Sequence, residues 1–158
     1  MVSSKNGKEE VDASWSVRVR SAGGQEARAY VGKHSFTVGR QARFADQDPH
    51  PTGVEYFLGT LGADLVNGFQ GQAAKMGIAV NSAECVVKGA LDNPLVFLGV
   101  IGAKGRPGFG SISATLYVSA ESDDQALRRA WESTLALSPI LSTLQHGVKL
   151  ALELLPSG

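Results

Sequence analysis

The stretch EYFLGTLGADLVNGFQGQ, Glu55 to Gln72, reads as a helix, yet it carries Gly59, Gly62, Gly68 and Gly71 and places a carboxylate, Asp64, among apolar neighbours. Apolar residues recur at Val54, Phe57, Leu58, Leu61, Leu65, Phe69, Ala73 and Met76, which is helical spacing. Thr52 and Glu55 have the offset of a capping box, and Lys75 followed by Gly77 forms a stop signal. Each interior glycine costs a helix roughly 0.8–1 kcal/mol against alanine, so four cost about 3–4 kcal/mol. A helix lying on a surface does not carry that burden without a reason. Thr60, Asp64, Gly68 and Gly71 share one stripe, which implies another backbone packed against a thin side and a buried central helix. Asp64 then needs a partner. The residues leave two roles open: a structural acid held by an arginine or by helix-end amides, or a functional acid in a pocket.

Outward from this helix, the chain reads as strands in blocks. SWSVRVR alternates Trp15, Val17 and Val19 with polar residues, SAGGQ turns, EARAYVG returns, and HSFTVG is a third short strand. The loop RQARFADQDPHPTG follows, its two prolines barring a sheet. After the helix come IAVNSAECVVKGAL, the apolar run LVFLGVIGAKG and SISATLYVS, all expected as strands; the last alternates Ile112, Ala114, Leu116 and Val118. Ser122 is the expected N-cap of a helix over DDQALRRAWESTLAL. Ser138, with Pro139 behind it, caps another, and VKLALELL ends the chain as strand or helix. Blocks of strands and helices, rather than strict alternation, predict an α+β fold with antiparallel sheets.

The totals restrict function. At 158 residues one domain is expected over 14–158, behind a disordered tail at 1–13 that lacks the apolar core of a signal peptide. Fifteen basic residues balance fifteen acidic ones, so neither nucleic acid nor a lipid surface is an expected partner. The longest apolar run, Leu95 to Ala103, is far short of the roughly 20 residues that span a bilayer. One cysteine, Cys85, precludes an internal disulfide, and no Cys/His set has metal spacing; a cytoplasmic protein without cofactor is expected. The glycine-rich GAKGRPGFGS, Gly102 to Ser111, lacks GK[ST] and reads as a hairpin loop, not a phosphate cradle.

PTGVEYFLGTLGADL resembles the central-helix motif of the OsmC/Ohr family, the osmotically inducible and organic hydroperoxide resistance proteins. LSPILSTLQHG resembles the family's second motif, and the similarity in order covers roughly Ser14 to Leu155. The resemblance implies two sheets wrapped around long central helices in an intertwined homodimer, a role in stress response, and reduction of organic hydroperoxides by a pair of cysteines. In this chain the first of those positions is Asp64 and the second Ser138. Oxygen atoms are not oxidised by peroxides as a thiolate is, so thiol peroxidase chemistry is expected to be absent. Glu55 matches the family glutamate that holds an arginine, for which Arg40 and Arg43 are the candidates; either is also a candidate partner of Asp64. What the family implies for a ligand is a small apolar or carboxylate-bearing molecule in a cleft at the dimer interface, lined by Tyr56, Phe57 and Phe69. A different class, a hydrolase or isomerase using Asp64 with an arginine or histidine, is the competing reading. Ser138 with His50 or His146 invites a triad, but SPI has the look of a helix cap rather than a nucleophile elbow. Cys85, inward on a strand, reads as an inert small hydrophobe.

Overall fold

The computed structural model describes residues 13–41 and 48–157. The tail expected at residues 1–13 falls outside that range up to residue 12, and so does Arg43. The chain divides into two compact units, Met1–Pro51 and Thr52–Gly158.

The first unit is a three-stranded antiparallel meander of β1 (Arg18–Gly23), β2 (Glu26–Val31) and β3 (His34–Val38). The strand expected from Trp15 begins only at Arg18. The β1–β2 turn uses Gly23, Gly24 and Gln25 at positive φ (88°, 56° and 68°). Beyond β3 the Gly39 amide donates to the Pro51 carbonyl at 2.7 Å, closing the proline loop back on the sheet.

The second unit is built on α1 (Gly53–Lys75). Its capping box forms as the spacing predicts: the Thr52 amide donates to Glu55 Oε2 at 2.8 Å, and the Glu55 amide donates to Thr52 Oγ1 at 3.2 Å. Leu61, Leu65, Phe69 and Ala73, each four residues apart, form its buried stripe. They meet Ile112, Ala114, Leu116 and Val118, the inward face of the central strand β5 (Phe109–Ala120). β4 (Val80–Leu91) flanks β5 antiparallel. On the other side lies β6 (Lys149–Ser157), and α3 (Asp124–Leu137) supplies Leu127, Ala130 and Trp131 to the same core.

Three expectations change here. The run LVFLGVIGA is not a strand: Asn93 accepts from the Leu95 amide at 3.0 Å and, with Pro94 at the first turn, caps the short helix α2 (Pro94–Phe97). Residues 92–108 are thus one long connection between β4 and β5, and the glycine-rich segment is its second half. β6 pairs with β5 in parallel, unlike the other three ladders, because α3 and α4 (Pro139–Leu144) carry the chain back across the sheet before it re-enters. The cap of α3 is Asp123, whose carboxylate accepts from the Ala126 amide at 2.8 Å, one residue after the serine expected there. Among the described residues no helix is long and apolar enough to cross a membrane.

Candidate functional site

Asp64 and Ser138 stand 74 residues apart in the chain and meet in space. The Ser138 hydroxyl donates to Asp64 Oδ2 at 2.5 Å, the short contact of a charge-assisted O–H···O bond. The same Oγ accepts from the Leu141 amide at 3.0 Å, which is its duty as N-cap of α4. A hydroxyl has one hydrogen bond to donate, and here Asp64 accepts it. Ser138 is 5% exposed, so both ends of its hydrogen bonding are satisfied inside the protein. No histidine takes part among the described residues. His146 has Gln145 Nε2 at 3.4 Å from its own Nε2, and His50 lies in the other unit. Within the second unit no Ser–His–acid relay is assembled among the described residues.

Four residues along α1 from Asp64, a methyl at Gly68 would come within 3.0 Å of Thr134 Cγ2 on α3. The close neighbour is therefore a side chain on α3 of the same chain, where the glycines had implied another backbone. Thr134 in turn donates to the Ala130 carbonyl at 2.8 Å. Asp64 and Gly68 therefore form a seam that joins α1 to the end of α3 and the start of α4. Gly71 does not belong to it, since a methyl there would have no neighbour within 4 Å.

A second face of α1 looks at β4. Glu55, Leu58, Gly59, Gly62, Ala63, Val66 and Asn67 line an open cleft of about 580 Å³, with Cys85 and Val87 of β4 as its other wall. That volume lies in the range of small-molecule sites. Gly62 allows the close approach of helix and strand: a methyl there would stand 3.2 Å from Val87 Cγ2 and 3.9 Å from Cys85 Cβ. At Gly59 the same methyl would meet nothing within 4 Å, so this glycine leaves open space. Burial pushes the Cys85 thiol above its ordinary pKa, keeping it protonated rather than reactive.

The other expected residues are dispersed. Arg40 lies in the first unit, where its Nη2 pairs with Asp48 Oδ1 at 2.5 Å; that hydrogen bond and charge raise the guanidinium pKa further. Glu55 lines the cleft and holds the capping box. Phe69 is 0% exposed in the core, and Phe57 stacks on Phe109 with centroids 5.8 Å apart. Tyr56 is half-buried on α1, and its carbonyl accepts from Thr60 Oγ1 at 2.8 Å. None of these three aromatics lines the cleft. Apart from Glu55, its helix wall was missed because the lining is small: Gly59, Gly62 and Val66 follow Glu55 at helical spacing, and that signal was present in the sequence. No group of three or more His, Cys, Asp or Glu able to hold a metal occurs among the described residues.

The fold, two small sheets with a long central helix, is that of the OsmC and Ohr proteins. It is similar to an OsmC-like protein from Mycoplasma pneumoniae, with a TM-score of 0.79 at 14% identity over 93% of this chain and 99% of that one. It is also similar to the organic hydroperoxide resistance protein OhrB of Bacillus subtilis, with a TM-score of 0.59 at 18% identity over 89% and 97%. A third, a Vibrio cholerae organic hydroperoxide resistance protein with captopril bound in one of its active sites, has a TM-score of 0.63 at 11% identity over 92% and 95%. No curated protein matches the sequence. The OsmC-like protein family matches residues 45–153, and the chain belongs to it.

Proposed function

We propose that this OsmC-like protein does not reduce hydroperoxides through thiols and instead binds a small apolar molecule in the cleft between α1 and β4, as a cytoplasmic homodimer. The observation that carries the reading is the Asp64–Ser138 contact. The positions aligned with the family's two cysteines meet at 2.5 Å, but through oxygen atoms, the Ser138 hydroxyl donating to Asp64 Oδ2 while it also accepts from the Leu141 amide. Peroxide reduction needs a sulfur that can accept oxygen and a second thiol to release it, and carboxylate and hydroxyl oxygens do neither. The cleft on the neighbouring face is largely apolar and of ligand size. The Vibrio cholerae protein holds captopril in one of its active sites, which supports a fold that admits a small organic molecule. A lone free thiol suits a reducing compartment.

The test has two halves. Purified protein given cumene hydroperoxide and dithiothreitol is expected to consume no more peroxide than dithiothreitol alone, and Cys85→Ser is expected to behave identically. Native mass spectrometry is expected to show a dimer carrying a releasable small component or taking up an added apolar probe. Catalytic peroxide turnover that depends on Cys85 would overturn the first half; a bare monomer that takes up no probe would overturn the second.

A further inference from the structure

The chain is neutral in total, but its charges are unevenly placed. In the first unit, register sets Arg20 directly opposite Arg28 and Arg18 opposite Tyr30, while Arg28 and Tyr30 are paired in turn with Thr37 and Ser35 of β3. Directly paired residues share a face of a sheet, and so do residues two apart on one strand. Arg18, Arg20 and Arg28 therefore crowd one face, together with Tyr30. Two contacts agree: Arg28 Nη2 donates to Ser35 Oγ at 3.2 Å, and the Arg18 guanidinium lies over the Tyr30 ring, its Cζ 4.6 Å from the centroid. All three arginines are exposed, and none forms an ion pair among the described residues. Glu26 is the one carboxylate that the alternation of β2 places on this face, against three guanidinium groups. Val19, Ala29 and Phe36 form a row on the opposite, apolar face.

Like charges directly opposite each other destabilise a pair of strands, so Arg20 and Arg28 work against the sheet they belong to. A local rule broken in this way, with no carboxylate paired to either residue among those described, is the mark of a functional surface. We infer that this arginine face is a docking surface for single-stranded nucleic acid, held through its phosphates. Guanidinium forks match phosphate oxygens in pairs. Arg18 and Arg20 stand about 6.8 Å apart along β1 at ~3.4 Å per residue, and Arg28 is about 5 Å across from Arg20, so a strand crossing the face meets three cations. Arg18, steadied on Tyr30 and still exposed, offers a flat plane on which an unpaired base can stack. A lipid surface would require apolar side chains among the cations, and on this sheet those lie on the other face. An acidic peptide would match the charges but make no use of the stacked plane.

Fluorescence anisotropy of a labelled oligothymidylate, titrated with the full-length protein over a range of sodium chloride concentrations, tests this surface. Each phosphate contact to a single strand contributes about −0.7 to the slope of log K against log salt, so three arginines should give a slope of about −2. Arg20→Gln should reduce it to about −1.4, and replacing Arg18, Arg20 and Arg28 together by glutamine should abolish binding. Because Arg20→Gln removes a like-charge pair, it should unfold at no lower urea concentration than the wild type, so its weaker binding reports the face and not the fold. Arg20→Lys keeps the charge but loses the fork, and should keep the slope while binding more weakly. A duplex of the same length should bind less tightly than the single strand, because its bases are already stacked. No binding at low salt, binding that survives in the triple variant, or tighter binding of the duplex, of polyglutamate or of phosphatidylglycerol vesicles would overturn the assignment.

Discussion

One helix presents two unlike faces. On the Asp64–Gly68 side, α1 is fastened: a carboxylate accepts a hydrogen bond from a buried serine, and a glycine lets Thr134 of α3 approach so closely that a methyl would stand 3.0 Å from it. On the Gly59–Gly62 side the same kind of residue does the opposite. Gly62 admits Val87, but Gly59 faces empty space, and a cleft remains. A glycine in a helix thus records either contact or vacancy, and only the neighbouring element says which. The seam fastens the helix, and the open face is where the proposed guest would sit.

The comparison can be broken at several strengths. The largest effect is expected in the stripe beneath both faces. Phe69→Ala removes a side chain that is 0% exposed and should cost about 3–5 kcal/mol in urea unfolding. Gly68→Val comes next. Its added carbons press on Thr134, and overpacking of this kind costs about 1–3 kcal/mol. Gly59→Ala sharpens the contrast, because it should raise stability by roughly 0.8–1 kcal/mol, the glycine penalty recovered where nothing is crowded. The opposite signs at Gly59 and Gly68, measured in the same urea series, are the signature of two different faces; equal signs would erase the distinction. The smallest effect is kinetic. Because burial raises the Cys85 pKa, its thiolate forms only at higher pH than in an unfolded chain. Native alkylation should therefore be slow at pH 7 and rise with a midpoint above that of the protein in urea. A native midpoint below the unfolded one would mark an activated thiol.

The parts of this fold that depend on neighbours in sequence were legible. The Thr52–Glu55 capping box, the stripe from Leu61 to Ala73, the alternation along β5 and the Ser138–Pro139 start of α4 all follow from spacing within a few residues. The short helix α2 was hidden because an apolar run in strand-favouring residues outweighed the Asn93–Pro94 cap before it. The direction of β6 was hidden too, since a parallel pair depends on where the crossover lands and leaves no mark in the strand itself. At the site, Asp64 was recognised as an acid in need of a partner, but a serine 74 residues away cannot be read from local pattern. The aromatic residues drew attention away from the cleft, which is shaped by the side chains that are missing.

The most direct test of this account is a double-mutant cycle between Asp64 and Ser138, with Asp64→Ala, Ser138→Ala and the double variant compared in urea unfolding. A hydrogen bond to a charged group in this setting should give a coupling of about 1.5–3 kcal/mol, with each single change destabilising and the second adding little to the first. Additive losses with no coupling would mean that these two oxygens do not hold α1 to α3 and α4, and the fastened face of the helix would have to be abandoned.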